Sequence, residues 1–125
     1  MSSSLTITVI LHATEDPERV INKLIEIVGF EPRVKKERLV GHFGNPIFYV
    51  TLKLRGRRGR EAFMKFVNSL PERDREAVLS GAFKDERGKI YLRLDKQQLM
   101  LGKFVLSNRD AVKIVFTPPA WGEAE

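Results

Sequence analysis

The sequence predicts an α+β fold, a two-layer sandwich in which helices cover one face of a mainly antiparallel sheet. Three observations support this: some segments alternate apolar and polar residues, others repeat apolar residues at helical spacing, and the connections between them are short. The 125 residues suit a single domain with a hydrophobic core. We expect residues 1–117 to form a single α+β domain and residues 118–125 to form a flexible C-terminal tail.

The first half of the chain predicts three strands and one helix. β-branched residues indicate a strand over residues 4–12. Asp16 is a favourable N-cap and predicts the start of a helix that ends at Gly29. Residues 34–40 are highly charged and predict an edge strand, because charge protects an edge from aggregation. Residues 47–55 alternate most clearly and predict a strand with one buried face.

The second half predicts further helices and a hairpin. Gly56 and Gly59 predict a tight turn, followed by a helix over residues 60–70 with an apolar stripe. Then come a helix over 72–80, a hairpin over 82–94, a short helix over 96–101 capped by Asp95, and strand pieces over 104–106 and 111–117.

Positive charge is concentrated in the middle of the chain. Residues 31–65 hold ten Lys or Arg and three acids, a charge of +7, whereas the rest of the chain carries −1. Such a field on a small domain is the footprint expected for a polyanion partner. Thermophile proteins also carry many charges, but in mixed networks that need interleaved acids. Residues 53–60 contain no acid, so the sequence favours an RNA-binding surface.

The candidate RNA-binding residues belong to a predicted strand pair and the turn that follows it. If residues 34–40 and 47–55 pair as a hairpin, their cations should share one surface and contact phosphates. The proposed set is Lys35, Lys36, Arg38, His42, Lys53, Arg55, Arg57, Arg58 and Arg60.

The GHFGNP segment, residues 41–46, is predicted to be a turn that sets the register of this hairpin. His42 is its only residue that we would test for direct contact, although a turn histidine is more often structural. Of the nearby aromatic residues, Phe43 is expected to pack in the core. Tyr49 is left open between core packing and base stacking.

The sequence argues against several other classes of function. The absence of cysteine excludes disulfides and cysteine-ligated zinc, and fits a cytoplasmic protein. His12 and His42 have no partners at metal-ligand spacing, and GRRGR is too short for a phosphate-binding loop. Asp85 and Glu86 lie on a predicted turn, where nothing would desolvate either carboxylate. We therefore predict no enzyme, cofactor, metal, small-molecule substrate or membrane span.

Several motifs resemble one archaeal family. GHFGNPI (41–47), IYLRLDKQ (90–97) followed by Gly102, DAVKI (110–114) and the early DPERV are similar to the family of predicted exosome subunits, or exosome-associated RNA-binding proteins. The resemblance covers about residues 4–117. It implies a fold like that of the ribosomal proteins that bind 5S rRNA, and a role near the exosome or in ribosome-related RNA work. It brings no catalytic residues.

Three functions therefore remain open from the sequence. The favoured one is a non-catalytic RNA-binding protein whose RNA is structured or single-stranded. The alternative is a protein-interaction subunit that docks an acidic partner on the same basic surface. The third, an unrecognised nuclease or small-molecule enzyme, requires a concave pocket with converging polar groups.

Overall fold

The computed structural model describes residues 3–41 and 43–119, and within them the chain forms five strands and four helices. The elements are β1 (Ser4–Leu11), α1 (Pro17–Val28), β2 (Arg33–Val40), β3 (Pro46–Arg55), α2 (Gly56–Ser69), α3 (Glu72–Leu79), β4 (Ile90–Asp95), α4 (Lys96–Met100) and β5 (Ala111–Thr117). The strands form one sheet in the order β2-β3-β1-β5-β4, and every neighbouring pair is antiparallel.

The core lies between this sheet and the helices. Apolar residues at alternate positions of the strands point to one face, where Leu5 of β1 lies opposite Leu54 of β3 and Phe116 of β5. Helix α2 packs on the centre of this face through Phe63 and Phe66, and the Phe63 ring stacks on Phe116 with the centroids 4.5 Å apart. The predicted α+β two-layer sandwich is therefore confirmed.

Several predicted element boundaries are confirmed by their capping groups. The side chain of Asp16 accepts a hydrogen bond from the backbone N–H of Glu18 at 3.1 Å. Gly29 adopts φ +77° after α1, and its N–H donates to the carbonyl of Ile25. Asp95 caps α4 by accepting from the N–H of Gln98 at 2.8 Å. Strand β2 lies at the edge of the sheet, as its charges predict.

The predicted turn over residues 56–59 is wrong, because α2 already begins at Gly56. Gly56 does supply a turn conformation, with φ +66°, and its N–H donates to the carbonyl of Ser3 at 2.7 Å. Gly59 has a different role: a Cβ atom there would lie 2.8 Å from the carbonyl oxygen of Leu54. Gly59 thus lets the first turn of α2 lie directly against β1 and β3.

The predicted hairpin over 82–94 is only half formed. Its second arm is β4, but its first arm is reduced to a single bridge between Lys84 and Ile90, because turns continue from α3 as far as Lys84. The strand piece predicted over 104–106 is likewise one bridge, between Leu106 and Leu94. Both segments lie along the outer edge of β4 and cover its hydrogen-bonding groups. The opposite edge strand, β2, is exposed at all eight residues.

Further sequence predictions concern Phe43, the undescribed His42 and C-terminal tail, and membrane crossing. Phe43 is 86% exposed, so its predicted core position is wrong. His42 and residues 120–125, which include most of the predicted tail, lie outside the described residues. In the part of the chain that the structure describes, no helix combines the length and apolar character needed to cross a membrane.

Candidate nucleic-acid interface

The sheet face opposite the helices, called here the open face, is strongly cationic. None of its outward residues is buried, because the alternation that sends apolar side chains to the core sends the others outward. Its six cations are Arg33, Lys35, Lys53, Arg55, Arg93 and Lys113. The face also carries two acids. Glu37 forms an ion pair with Lys35 at 3.0 Å, and Asp95 caps α4 by accepting a hydrogen bond from the N–H of Gln98.

The strand register aligns the open-face residues in rows across the sheet. One row reads Arg93, Lys113, Thr8, Thr51 and Lys35, and the next reads Tyr91, Val115, Thr6, Lys53 and Arg33. Four strand spacings of about 4.8 Å make each row about 19 Å long. Cations therefore lie at both ends of the first row, and small threonine side chains leave its middle flat.

Two tyrosines lie on the open face among these cations. Tyr49 is 37% exposed and Tyr91 is 39% exposed. The Nζ atom of Lys113 lies 5.9 Å from the centroid of the Tyr91 ring, a cation–π distance. The sequence left Tyr49 open between core packing and base stacking. Its ring lies outside the core, on the face that carries the cations, which favours stacking over core packing.

A turn at the end of the sheet fixes the Tyr91 side chain. Asp85 accepts from the N–H groups of Arg87 and Lys89, each at 2.9 Å, and from the Tyr91 hydroxyl at 3.2 Å. Desolvation acts to raise the pKa of Asp85, but these hydrogen bonds outweigh it and leave the pKa below its ordinary value. Desolvation, with the Asp85 hydrogen bond, raises the pKa of Tyr91. Tyr91 therefore stays protonated and its hydroxyl remains a donor.

The predicted basic hairpin forms, but its cations do not share one surface. Strands β2 and β3 pair as expected, and Lys35 joins Lys53 and Arg55 on the open face. Lys36 and Arg38 lie on the opposite face, because neighbouring side chains of a strand alternate. Lys36 is engaged there by an ion pair with Glu18 of α1 at 3.2 Å.

The sequence predicts Arg57 and Arg58 on a turn and Arg60 at the start of the next helix, whereas all three lie at the start of α2. They are called here the helix-start arginines. All three are exposed, and the guanidinium of Arg58 lies 5.9 Å from the centroid of the Phe30 ring. The first turn of α2 contains no acid, and Arg55 gives no side-chain cap. The N-terminus of a helix carries a partial positive charge, so cations placed there are electrostatically unfavourable. Together the arginines and the helix end concentrate positive potential beside the sheet.

The sequence reasoning missed four open-face residues: Arg33, Tyr91, Arg93 and Lys113. The last two lie far along the chain from the basic middle segment, in strands whose own net charge is small. The missed signal is strand alternation, because Arg93 lies between the buried residues Leu92 and Leu94.

Fold and surface together define a small α+β sandwich whose open face carries cations, threonines and tyrosines beside a few exposed apolar residues such as Ile10 and Leu39. Within the described residues, no three histidine or acidic side chains come together as metal ligands. A family model described as RNA binding matches residues 4–117, so the chain belongs to this RNA-binding family.

One archaeal relative is named an RNA-binding protein, and solved archaeal structures share the fold. The chain is 32% identical over 117 residues to RNA-binding protein PAB1135 of Pyrococcus abyssi, an alignment that covers 87% of this chain and 76% of that protein. The crystal structure of SSO0741 from Sulfolobus solfataricus superposes with a TM-score of 0.78 at 23% identity, covers 94% of this chain and 88% of that one, and supports the fold alone. Mth689, a DUF54 protein from Methanothermobacter thermautotrophicus, is 30% identical with a TM-score of 0.72 over 94% of this chain and 85% of its own.

Proposed function

We propose that this protein binds RNA through the open face of its sheet, as a binding protein and without catalysis. The observation that carries the proposal is the charge of that face, where six cations accompany only two acids; Glu37 pairs with Lys35, one of the six, and Asp95 caps α4. Membership of the RNA-binding family and the likeness to an RNA-binding protein of Pyrococcus abyssi support the choice of RNA over other polyanions.

In this proposal the cations contact phosphates while the rigid sheet fixes their positions. Arg33 and Lys53 lie directly opposite each other on β2 and β3, and Arg55 follows two residues after Lys53 on the same face. Arginine can contact a phosphate with two parallel hydrogen bonds, whereas lysine acts as a point charge. Such contacts position the nucleic acid without selecting its sequence.

The helix-start arginines extend the proposed surface around the end of the sheet. They follow Gly56 at the start of α2, where the first turn has no side-chain cap and the positive end of the helix dipole favours anions. Lys36 and Arg38 belong to the proposal only as peripheral contacts, because they lie on the other face of β2. His42, which lies outside the described residues, remains a proposed contact on sequence grounds alone.

Replacing Arg57 and Arg58 together by alanine tests this extension. Each phosphate contact contributes roughly fivefold in affinity at 0.1 M salt, so we expect binding to weaken by about 25-fold across RNA sequences and its salt dependence to flatten. The free energy of unfolding should stay within about 0.5 kcal/mol of wild type, because removing two cations from the positive helix end offsets the lost contact of Arg58 with Phe30. Filter binding and urea unfolding measure the two effects, and unchanged affinity at low salt would remove these arginines from the interface.

We further propose that the protein acts in cytoplasmic RNA processing or degradation, in association with the exosome or with ribosome-related RNA. This context comes from the family resemblance of the motifs. Affinity purification of the tagged protein, with and without ribonuclease, tests it. Exosome or ribosome components that are lost after digestion support an RNA-mediated association. Retention of an acidic protein partner after digestion, together with loss of that partner from a variant lacking the open-face cations, would instead favour the protein-docking alternative.

A further inference from the structure

The open face ends at β4 beside a cleft with a volume of about 310 Å³. This volume lies at the lower end of the range for small-ligand pockets, about 300–1,000 Å³. The cleft borders β4 and the two segments that cover its outer edge. Its lining includes Tyr91 and Arg93 of the open face, with Phe83, Leu106 and Asn108 from the covering segments. A strand of RNA on the open face would therefore pass directly beside it.

The lining combines the groups that recognise an unpaired nucleobase. Tyr91 and Phe83 offer aromatic surface, and Arg93 offers a planar donor. The exposed side-chain amide of Asn108 makes no hydrogen bond to any described residue, so both its donor and its acceptor are available. Base edges present donors and acceptors side by side, which an amide can match.

The Tyr91 ring is held in place before any ligand binds. Its hydroxyl donates to Asp85, which is itself fixed by the N–H groups of Arg87 and Lys89. Lys113 lies near the ring and in the same row as Arg93, where it can neutralise a phosphate adjoining a stacked base. A fixed ring loses little conformational entropy on binding, so this arrangement favours stacking.

We propose that the open face takes single-stranded RNA and that one unpaired base enters this cleft, stacked on Tyr91 and hydrogen-bonded by Asn108 and Arg93. The inference rests on the proposed function and makes it more specific. An A-form duplex keeps its base faces stacked inside and is recognised through its shape, phosphates and sugars. A duplex would leave the aromatic and amide groups of the cleft unused, whereas a single strand can place a base against them.

Two substitutions of Tyr91 test the stacking. Tyr91→Leu removes the ring, and Tyr91→Phe keeps the ring but loses the hydrogen bond to Asp85. By fluorescence anisotropy with a labelled oligouridylate decamer, we expect Tyr91→Leu to bind about 10-fold more weakly, with an unchanged salt slope. Tyr91→Phe should stay within about threefold of wild type, since the stacking surface remains. An RNA duplex of the same length should bind wild type and Tyr91→Leu equally.

A decamer that lacks its bases separates stacking from charge. Wild type and Tyr91→Leu should bind this abasic strand equally; equal losses on the normal and abasic strands would overturn the inference. If Tyr91→Leu binds the normal decamer like wild type while a variant lacking open-face cations binds weakly, the inference fails and the proposed function stands. If neither variant weakens binding, both fail. Should Tyr91→Leu not fold, Asn108→Ala on the exposed loop provides the second variant. We expect it to lose about fivefold on the normal decamer only, and unchanged binding would overturn the base contact.

Discussion

Replacing Lys53, Arg55 and Lys113 together by glutamine is expected to weaken RNA binding by about 100-fold at 0.1 M salt. The three side chains lie on the open face, on β3 and β5, and none has an acidic partner among the described ion pairs. Each lost phosphate contact should also lower the slope of log affinity against log salt by about 0.7 for a single strand. Glutamine keeps most of the side-chain length, so the sheet should remain intact.

A matched variant controls for net charge. Arg19 on α1, Arg73 on α3 and Lys103 after α4 are exposed, and none of the three belongs to a strand of the sheet. Changing these three to glutamine removes the same charge and should alter affinity by no more than about threefold, because screened charges beyond about 10 Å contribute little. Equal losses in the two variants would show that RNA responds to net charge alone, and the assignment of the open face would be wrong.

Replacing Lys96 by methionine is expected to destabilise the fold by about 3 kcal/mol, the cost of breaking a buried ion pair. Lys96 is only 1% exposed, and its Nζ atom donates to the carbonyl of Ile10 at 3.0 Å. It also forms ion pairs with Glu15 at 2.8 Å and Asp110 at 3.0 Å. These contacts tie the start of α4 to the end of β1, the loop before α1 and the residue before β5. Urea unfolding followed by circular dichroism measures the loss.

Two further variants make this second prediction specific. Lys84 is exposed and has no ion pair to a described residue, so Lys84→Met should change the free energy of unfolding by less than about 0.5 kcal/mol. Adding Glu15→Gln and Asp110→Asn to Lys96→Met removes the uncompensated carboxylates and should recover part of the loss. If Lys96→Met has the wild-type free energy of unfolding, the buried ammonium group makes no net contribution to stability and this prediction is wrong.

Local sequence signals predicted those parts of the fold in which one residue type has one physical role. Asp16 accepts at a helix start, and Gly29 adopts the left-handed conformation after the last turn. The role of the two glycines of GRRGR could not be predicted, because glycine is selected both for a positive φ and for close packing without a side chain. Gly56 does adopt a positive φ, but Gly59 provides close packing against the carbonyl of Leu54, which involves a strand contact that spacing alone does not indicate.

The candidate interface was only partly predictable, because a charge count along the chain differs from a charge count on a surface. Lys35 and Lys36 are neighbours in sequence but lie on opposite faces of β2. Lys113 and Arg93 are remote in sequence but join the row of Lys35 through the pairing of β4, β5, β1 and β3. Strand order is set by long-range packing, so the sequence could predict an outward position for each cation but not which cations meet.

The central claim, that RNA lies on the open face, is tested most directly by nuclear magnetic resonance of the isotope-labelled protein titrated with the oligouridylate decamer. The account predicts that the largest amide shift changes map to β1, β3, β4 and β5 around Thr8, Thr51, Lys113 and Arg93, and to the first turn of α2. The amides of α1 and α3 should change little. Changes confined to the exposed sides of α1 and α3, with the sheet unaffected, would contradict it.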